Sequence, residues 1–204
     1  YIHSEIKKEG FLVKKCIMIG TALIDMYAKC GALGKARGLF NELSTRNTIS
    51  WSVMITGYVQ CEVYEEAISS FHHMKDEGVS PNAAIFTCVL KACGSIGANV
   101  KGAQIHADVE RKGFSEDGFV VSTLVNLYGK CGMVEEAENS FLELIDRDVV
   151  AWSAMLLAYV EKGLGCKALL CYRQMQEEGV SPDQRTLVIA LQACLNLAEK
   201  GGIL

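Results

Sequence analysis

Apolar residues return every three or four positions through most of this chain. Between residues 17 and 47, Leu23, Met26, Tyr27 and Cys30 keep the 3, 4, 7 spacing of one helical face. Gly31 then offers a permissive stop, and Ala36, Phe40 and Leu43 mark a second face. The pattern predicts a helical hairpin. Residues 48–82 repeat the plan, with Trp51, Met54, Ile55, Tyr58 and Val59 on a first helix and Ala67, Phe71 and Met74 on a second. Gly78 ends that second helix and Pro81 bars its continuation. Residues 83–117 give a third hairpin, with Phe86, Val89, Leu90 and Cys93 and then Ala103, Ile105, His106 and Val109. No stretch alternates with period two, so no strand is predicted.

The hairpins recur at long range. Tyr27-Ala28-Lys29-Cys30-Gly31 returns as Tyr128-Gly129-Lys130-Cys131-Gly132, a displacement of 101 residues. Trp51 returns as Trp152, Gly78-Val79-Ser80-Pro81 as Gly179-Val180-Ser181-Pro182, and Ala92-Cys93 as Ala193-Cys194. Residues 118–148 therefore restate 17–47, and 149–183 restate 48–82 with Trp152, Met155, Leu156 and Tyr159 on one stripe. Residues 184–204 begin a further copy of the third unit. At the other end, residues 1–16 read as the close of such a unit: His3, Ile6 and Gly10-Phe11 match His106, Val109 and Gly113-Phe114, with a remodelled turn expected at Lys14-Lys15. Units of 31, 35 and 35 residues make one continuous array whose members contact mainly their neighbours. A tetratricopeptide array would hold near 34 throughout.

Composition narrows the function classes. Half of the 204 residues are hydrophobic, enough for a sizeable core, yet no apolar run reaches the roughly 18 to 20 residues of a membrane helix. The opening Tyr1-Ile2-His3-Ser4-Glu5 is neither a signal nor a transit peptide, and without an initiating Met the sequence reads as part of a longer chain. Nine cysteines, with no Cys-x-x-Cys pair and with Cys30, Cys131, Cys93 and Cys194 at equivalent places, are expected to be small buried helix residues in a reducing compartment. The four histidines, His3, His72, His73 and His106, form no metal-ligand spacing, and Glu65-Glu66, Glu135-Glu136 and Glu177-Glu178 read as solvated helix surface. No cofactor, metal site, catalytic group, small-molecule substrate or membrane contact is implied. A net charge of −4 is the wrong sign for gripping nucleic acid by bulk electrostatics, so any such binding must come from local placement.

The unequal triplet carries a resemblance. Ile-Asp-Met-Tyr-Ala-Lys-Cys-Gly (24–31), Ser-Trp-Ser-Val-Met-Ile-Thr-Gly-Tyr (50–58), Gly-Val-Ser-Pro-Asn (78–82), Val-Leu-Lys-Ala-Cys (89–93) and Ile-His-Ala (105–107) resemble the pentatricopeptide repeat family, and in particular its PLS subclass of plant organelles. The resemblance covers essentially the whole chain. It implies an all-α, right-handed α-solenoid of stacked helix-turn-helix repeats, with 1–16 a partial L-type unit, 17–47 S-type, 48–82 P-type, 83–117 L-type, 118–148 S-type, 149–183 P-type and 184–204 a partial L-type unit. It also implies single-stranded RNA as the partner, read at about one base per unit. The location implied is a mitochondrion or chloroplast.

The family reads a base with the fifth and last residues of a unit. By resemblance these are Thr21 with Asn47, Ser52 with Asn82, Thr87 with Asp117, Ser122 with Asp148, and Ser153 with Asp183. A hydroxyl with Asn resembles an adenine reader and a hydroxyl with Asp a guanine reader, giving 5′-A-A-N-G-G-3′ with the long unit left open. A hydroxyl donates or accepts, Asn does both, and an ionised Asp only accepts. N-terminal capping of the next helix is a competing role for the same Asn and Asp residues. The second residue of each unit, Met18, Ile49, Ala84, Phe119 and Val150, resembles the apolar wedge that holds a base, with core packing as its alternative. Lys29 and Lys130 resemble phosphate contacts, whereas Gln60 and Glu161 stand in that place in the standard units. Family members direct organellar RNA editing (C-to-U) or processing with accessory proteins. Any deaminase chemistry would lie outside this chain, which has no Pro-Cys-x-x-Cys to complete the His-x-Glu and Pro-Cys-x-x-Cys signature. A protein-interaction scaffold of tetratricopeptide type is the alternative reading.

Overall fold

The computed structural model describes residues 17–199, and the unit remnant expected over 1–16, with His3 and the Lys14-Lys15 turn, lies outside them. The described residues form eleven α-helices and no strand: α1 Ile17–Lys29, α2 Leu33–Glu42, α3 Thr48–Gln60, α4 Tyr64–Asp76, α5 Ala83–Ile96, α6 Asn99–Arg111, α7 Gly118–Lys130, α8 Val134–Glu143, α9 Val149–Glu161, α10 Gly165–Glu177 and α11 Gln184–Glu199. The chain divides inside α5 into two compact units, residues 1–92 and 93–204.

In the first unit α1 packs against α2 and α3, and α3 against α4. The second unit repeats this: α7 packs on α8 and α9, and α9 on α10 and α11. Having neighbours on several sides, α7 and α9 bury residues nearly all round. In α9, Ala151, Trp152, Ser153, Ala154, Met155, Leu156, Ala158 and Val160 are all buried. The even-numbered helices bury one stripe, Ala67, Ile68, Phe71 and Met74 in α4. The shorter predicted hairpins carry the shorter second helices, 10 residues in α2 and α8 against 13 in α4 and α10.

Each copy has the same aromatic layer. Phe40 meets Trp51 edge to face at 4.6 Å and Phe141 meets Trp152 at 4.7 Å, with the Arg46 and Arg147 guanidiniums 5.0 Å over the two phenylalanine rings. The same arginines reach the Glu77 and Glu178 carboxylates.

The odd-numbered helices approach closely where small residues meet. A Cβ on Gly57 would lie 2.6 Å from the Ala28 Cβ, and one on Gly129 would lie 2.9 Å from the Ala158 Cβ. Ala28 and Gly57 correspond, 101 residues on, to Gly129 and Ala158, so the glycine has changed sides between the copies while the pair keeps one glycine and one alanine.

Local corrections to the sequence reading follow from these contacts. In α1 the buried residues are Gly20, Leu23, Ile24 and Ala28, so Met26 and Tyr27 are only half-buried and Cys30 is exposed. In α6, Gly102, Ile105, Asp108 and Val109 are buried and Ala103 is exposed. Among the described cysteines only Cys93 and Cys171 are buried.

Candidate nucleic-acid interface

The hairpin junctions set the geometry of the predicted reading residues. Each predicted last residue holds the start of the next helix through its Oδ1. Asn47 accepts from the Ser50 N–H at 2.9 Å and Asn82 from the Ile85 N–H at 3.0 Å. Asp117 accepts from the Phe119 and Val120 N–H groups, Asp148 from those of Val150 and Ala151, and Asp183 from that of Thr186 at 2.7 Å. These bonds satisfy helix N–H groups that have no partner within the helix. They also fix the side chain by one oxygen and leave its second polar atom, Nδ2 in Asn and Oδ2 in Asp, out of the cap. Capping and presentation outward are therefore compatible.

At the first junction four predicted residues come together. Met18, Thr21, Asn47 and Ile49 line one open groove of about 440 Å³ between α1 and α3, with Ile17, Ala22, Asp25 and Val53. Sequence reasoning did not single out Asp25 or Val53, which the i, i+4 spacing from Thr21 and Ile49 brings onto the same faces. Clefts of about 310 Å³ beside Trp51 and Tyr58, and of about 380 Å³ beside Trp152 and Tyr159, hold none of the predicted site residues.

The second-position residues are at the surface. Met18 is 78%, Ile49 65%, Phe119 81% and Val150 53% exposed, and Ala84 is exposed as well. Large apolar side chains left in water at one recurring position are not core packing.

The fifth-position hydroxyls divide into two kinds. Thr21, Ser52 and Ser122 are half-buried. Thr87 is also half-buried, and its hydroxyl donates to the Ala83 carbonyl at 2.9 Å. Ser153 departs from its predicted role: it is 3% exposed and its hydroxyl is 2.7 Å from the Thr186 hydroxyl, which removes it from direct contact with a ligand. Its partner Asp183 is exposed and held below the usual carboxylate range, mainly by the Thr186 backbone and side-chain hydrogen bonds.

Lys29 is exposed and paired with Asp25 at 2.7 Å, so its ammonium sits beside the groove with a carboxylate attached. Lys130 is exposed, as are Gln60 and Glu161 at the corresponding places. Tyr128 accepts or donates a 2.8 Å hydrogen bond with His106, and burial pushes its hydroxyl up to about 12. Burial likewise pushes the Cys171 thiol up to about 12, which keeps it protonated at neutral pH.

An all-α array of helical hairpins with a capping Asn or Asp and an exposed apolar or small residue at the starts of α3, α5, α7 and α9 defines a modular helical-repeat protein. The chain belongs to the pentatricopeptide repeat (PPR) family: the PPR repeat family model matches residues 46–95 and 147–196, and the PPR repeat model matches 21–47 and 119–149. A chloroplastic pentatricopeptide repeat-containing protein of Arabidopsis thaliana is 38% identical over 195 residues, covering 96% of this chain and 31% of its own length. A second Arabidopsis thaliana protein of the family is 39% identical over 188 residues, covering 91% of this chain and 33% of its own. This chain thus spans about a third of these curated relatives. Among solved structures, PPR10 in complex with an 18-nt psaJ RNA element has the same fold, with a TM-score of 0.75 at 21% identity over 98% of this chain and 30% of that one. PPR10 from maize matches with a TM-score of 0.53 at 18% identity, over 90% of this chain and 32% of that one.

Proposed function

We propose that this chain is a sequence-reading segment of an organellar RNA-binding protein. Single-stranded RNA is taken at about one base per hairpin, the reading units being 17–47, 48–82, 83–117, 118–148 and 149–183 in S, P, L, S, P order. The observation that carries the reading is the α1/α3 groove, where a hydroxyl, a carboxamide and two apolar side chains face one space of about 440 Å³. An unstacked base needs those groups: apolar surface for its faces and polar atoms for its edge. That PPR10, which shares the fold, is solved with a bound 18-nt RNA element supports the reading, and relatives named chloroplastic support an organellar setting.

Each pair then has a stated task. Thr21 with Asn47 and Ser52 with Asn82 accept adenine, Ser122 with Asp148 accepts guanine, Asp183 supplies the acceptor for a second guanine, and Thr87 with Asp117 is unassigned. Met18, Ile49, Ala84, Phe119 and Val150 flank the bases, and Lys29 and Lys130 meet phosphates. The full-length protein directs editing or processing of an organellar transcript with accessory proteins, and its chemistry is supplied outside the residues described.

A gel-shift titration tests this with an RNA containing AANGG and the same RNA carrying CCNUU. The AANGG strand is expected to bind more tightly. Equal affinity for the two rules out base reading, and absence of any RNA binding by a longer piece of the array would favour a protein-interaction scaffold.

A further inference from the structure

The Ser153 and Asp183 side chains are joined through a residue of the next helix. Thr186 Oγ1 lies 2.7 Å from Asp183 Oδ1 and 2.7 Å from Ser153 Oγ. The direction of both bonds is determined by proton inventory. An ionised carboxylate only accepts, so the one Thr186 hydroxyl proton goes to Asp183. The Ser153 proton must then go to Thr186, and the order is Ser153 to Thr186 to Asp183. Ser153 is 3% exposed and Thr186 fully buried, so water does not compete for these bonds.

We propose that Thr186 is the specificity-positioning residue of the 149–183 hairpin, fixing Asp183 as its single base-reading group and withdrawing the Ser153 hydroxyl from the ligand. The inference rests on the base-reading function proposed above and deepens it. Asp183 receives both the Thr186 N–H and hydroxyl on Oδ1, so its orientation is held by two bonds and Oδ2 is the oxygen that Thr186 leaves over. A fixed acceptor favours the base whose Watson–Crick edge offers adjacent donors, which is guanine. Arg185 lies next in sequence but one to Asp183, and its charge too favours the ionised carboxylate.

Corresponding positions at the other junctions lack this link. Ile85, Val120 and Ala151 have no hydroxyl. Ser50 has one, but it donates to the Asn47 carbonyl and accepts from the Asn47 N–H, closing a local capping box. The connection is therefore specific to the hairpin whose fifth residue is buried.

The test compares wild type, Thr186→Val and Thr186→Ser on four RNAs, AANGG, AANGA, AANGC and AANGU, by equilibrium binding well below the melting temperature. Valine keeps the shape and removes the hydroxyl, and serine keeps the hydroxyl. The guanine-to-adenine affinity ratio at the last base is expected to fall about fivefold in Thr186→Val, as loss of one positioning hydrogen bond implies, and to survive in Thr186→Ser. A weakened helix cap alone would lower all four affinities together and leave the ratio unchanged. An unchanged ratio in Thr186→Val, or equal loss in Thr186→Ser, overturns the proposal. Should Thr186→Val fail to fold by circular dichroism, Thr186→Ser and Thr186→Cys, the latter a poor donor, give the same comparison. If wild type shows no base preference at any position, the base-reading function fails and this inference with it. Preference at the first, second and fourth bases with no dependence on Thr186 removes only the role of Thr186.

Discussion

On the proposed reading, individual residues serve folding and recognition with different atoms. Asn47, Asn82, Asp117, Asp148 and Asp183 cap helices through Oδ1, and the cap sets where the remaining polar atom points. The exposed second-position residues have no such structural duty. Phe119→Ala is therefore expected to leave the melting temperature within about a degree, since the ring is 81% exposed, and to weaken RNA binding about fivefold, the lower end of base-aromatic stacking. A drop in melting temperature with unchanged binding would return Phe119 to a packing role. The sequence revealed which positions recur but not which are covered. Met18 and Ile49 were as compatible with a core as with a surface, because periodicity does not distinguish a helix with neighbours on three sides from one with neighbours on two. Ser153 reads like Ser52, and only Thr186, 33 residues on, separates them.

At the level of helices, turn chemistry was the most legible feature. Gly31 has φ +71° and Gly132 φ +69°, and their next residues, Ala32 and Met133, donate back to the Tyr27 and Tyr128 carbonyls. Burial stripes were less legible, since the α1 stripe runs through Ile24 and Ala28 rather than Met26 and Cys30. Helix spacing adds a constraint that the two copies solve in opposite ways. Gly57→Ala drives a methyl into Ala28 and is expected to cost about 1 to 3 kcal/mol, read by thermal or urea unfolding. Adding Ala28→Gly recreates the arrangement of Gly129 and Ala158 and is expected to recover most of that loss. A double variant as unstable as the two single changes combined would show that α1 and α3 do not meet at this point.

Over the whole chain the energetics favour a weak binder. Net hydrogen bonds contribute about 1 kcal/mol each, so four or five readers fall short of the roughly −8 kcal/mol of a micromolar complex. With a net charge of −4 and two lysines at the expected phosphate positions, the logarithm of affinity should fall with the logarithm of salt at a shallow slope of about −1.4. A slope several times steeper would mean that charge rather than base edges holds the RNA.

Asn47→Asp tests the central claim most directly, because aspartate caps α3 as well as asparagine does and replaces the amide donor left over by the cap with a charged acceptor oxygen in the α1/α3 groove. Affinities would be measured for RNAs differing only at the first of the five bases. The account predicts a switch from adenine to guanine there, with preferences at the other bases unchanged. Retained adenine preference, or equal weakening for all four bases, would contradict it.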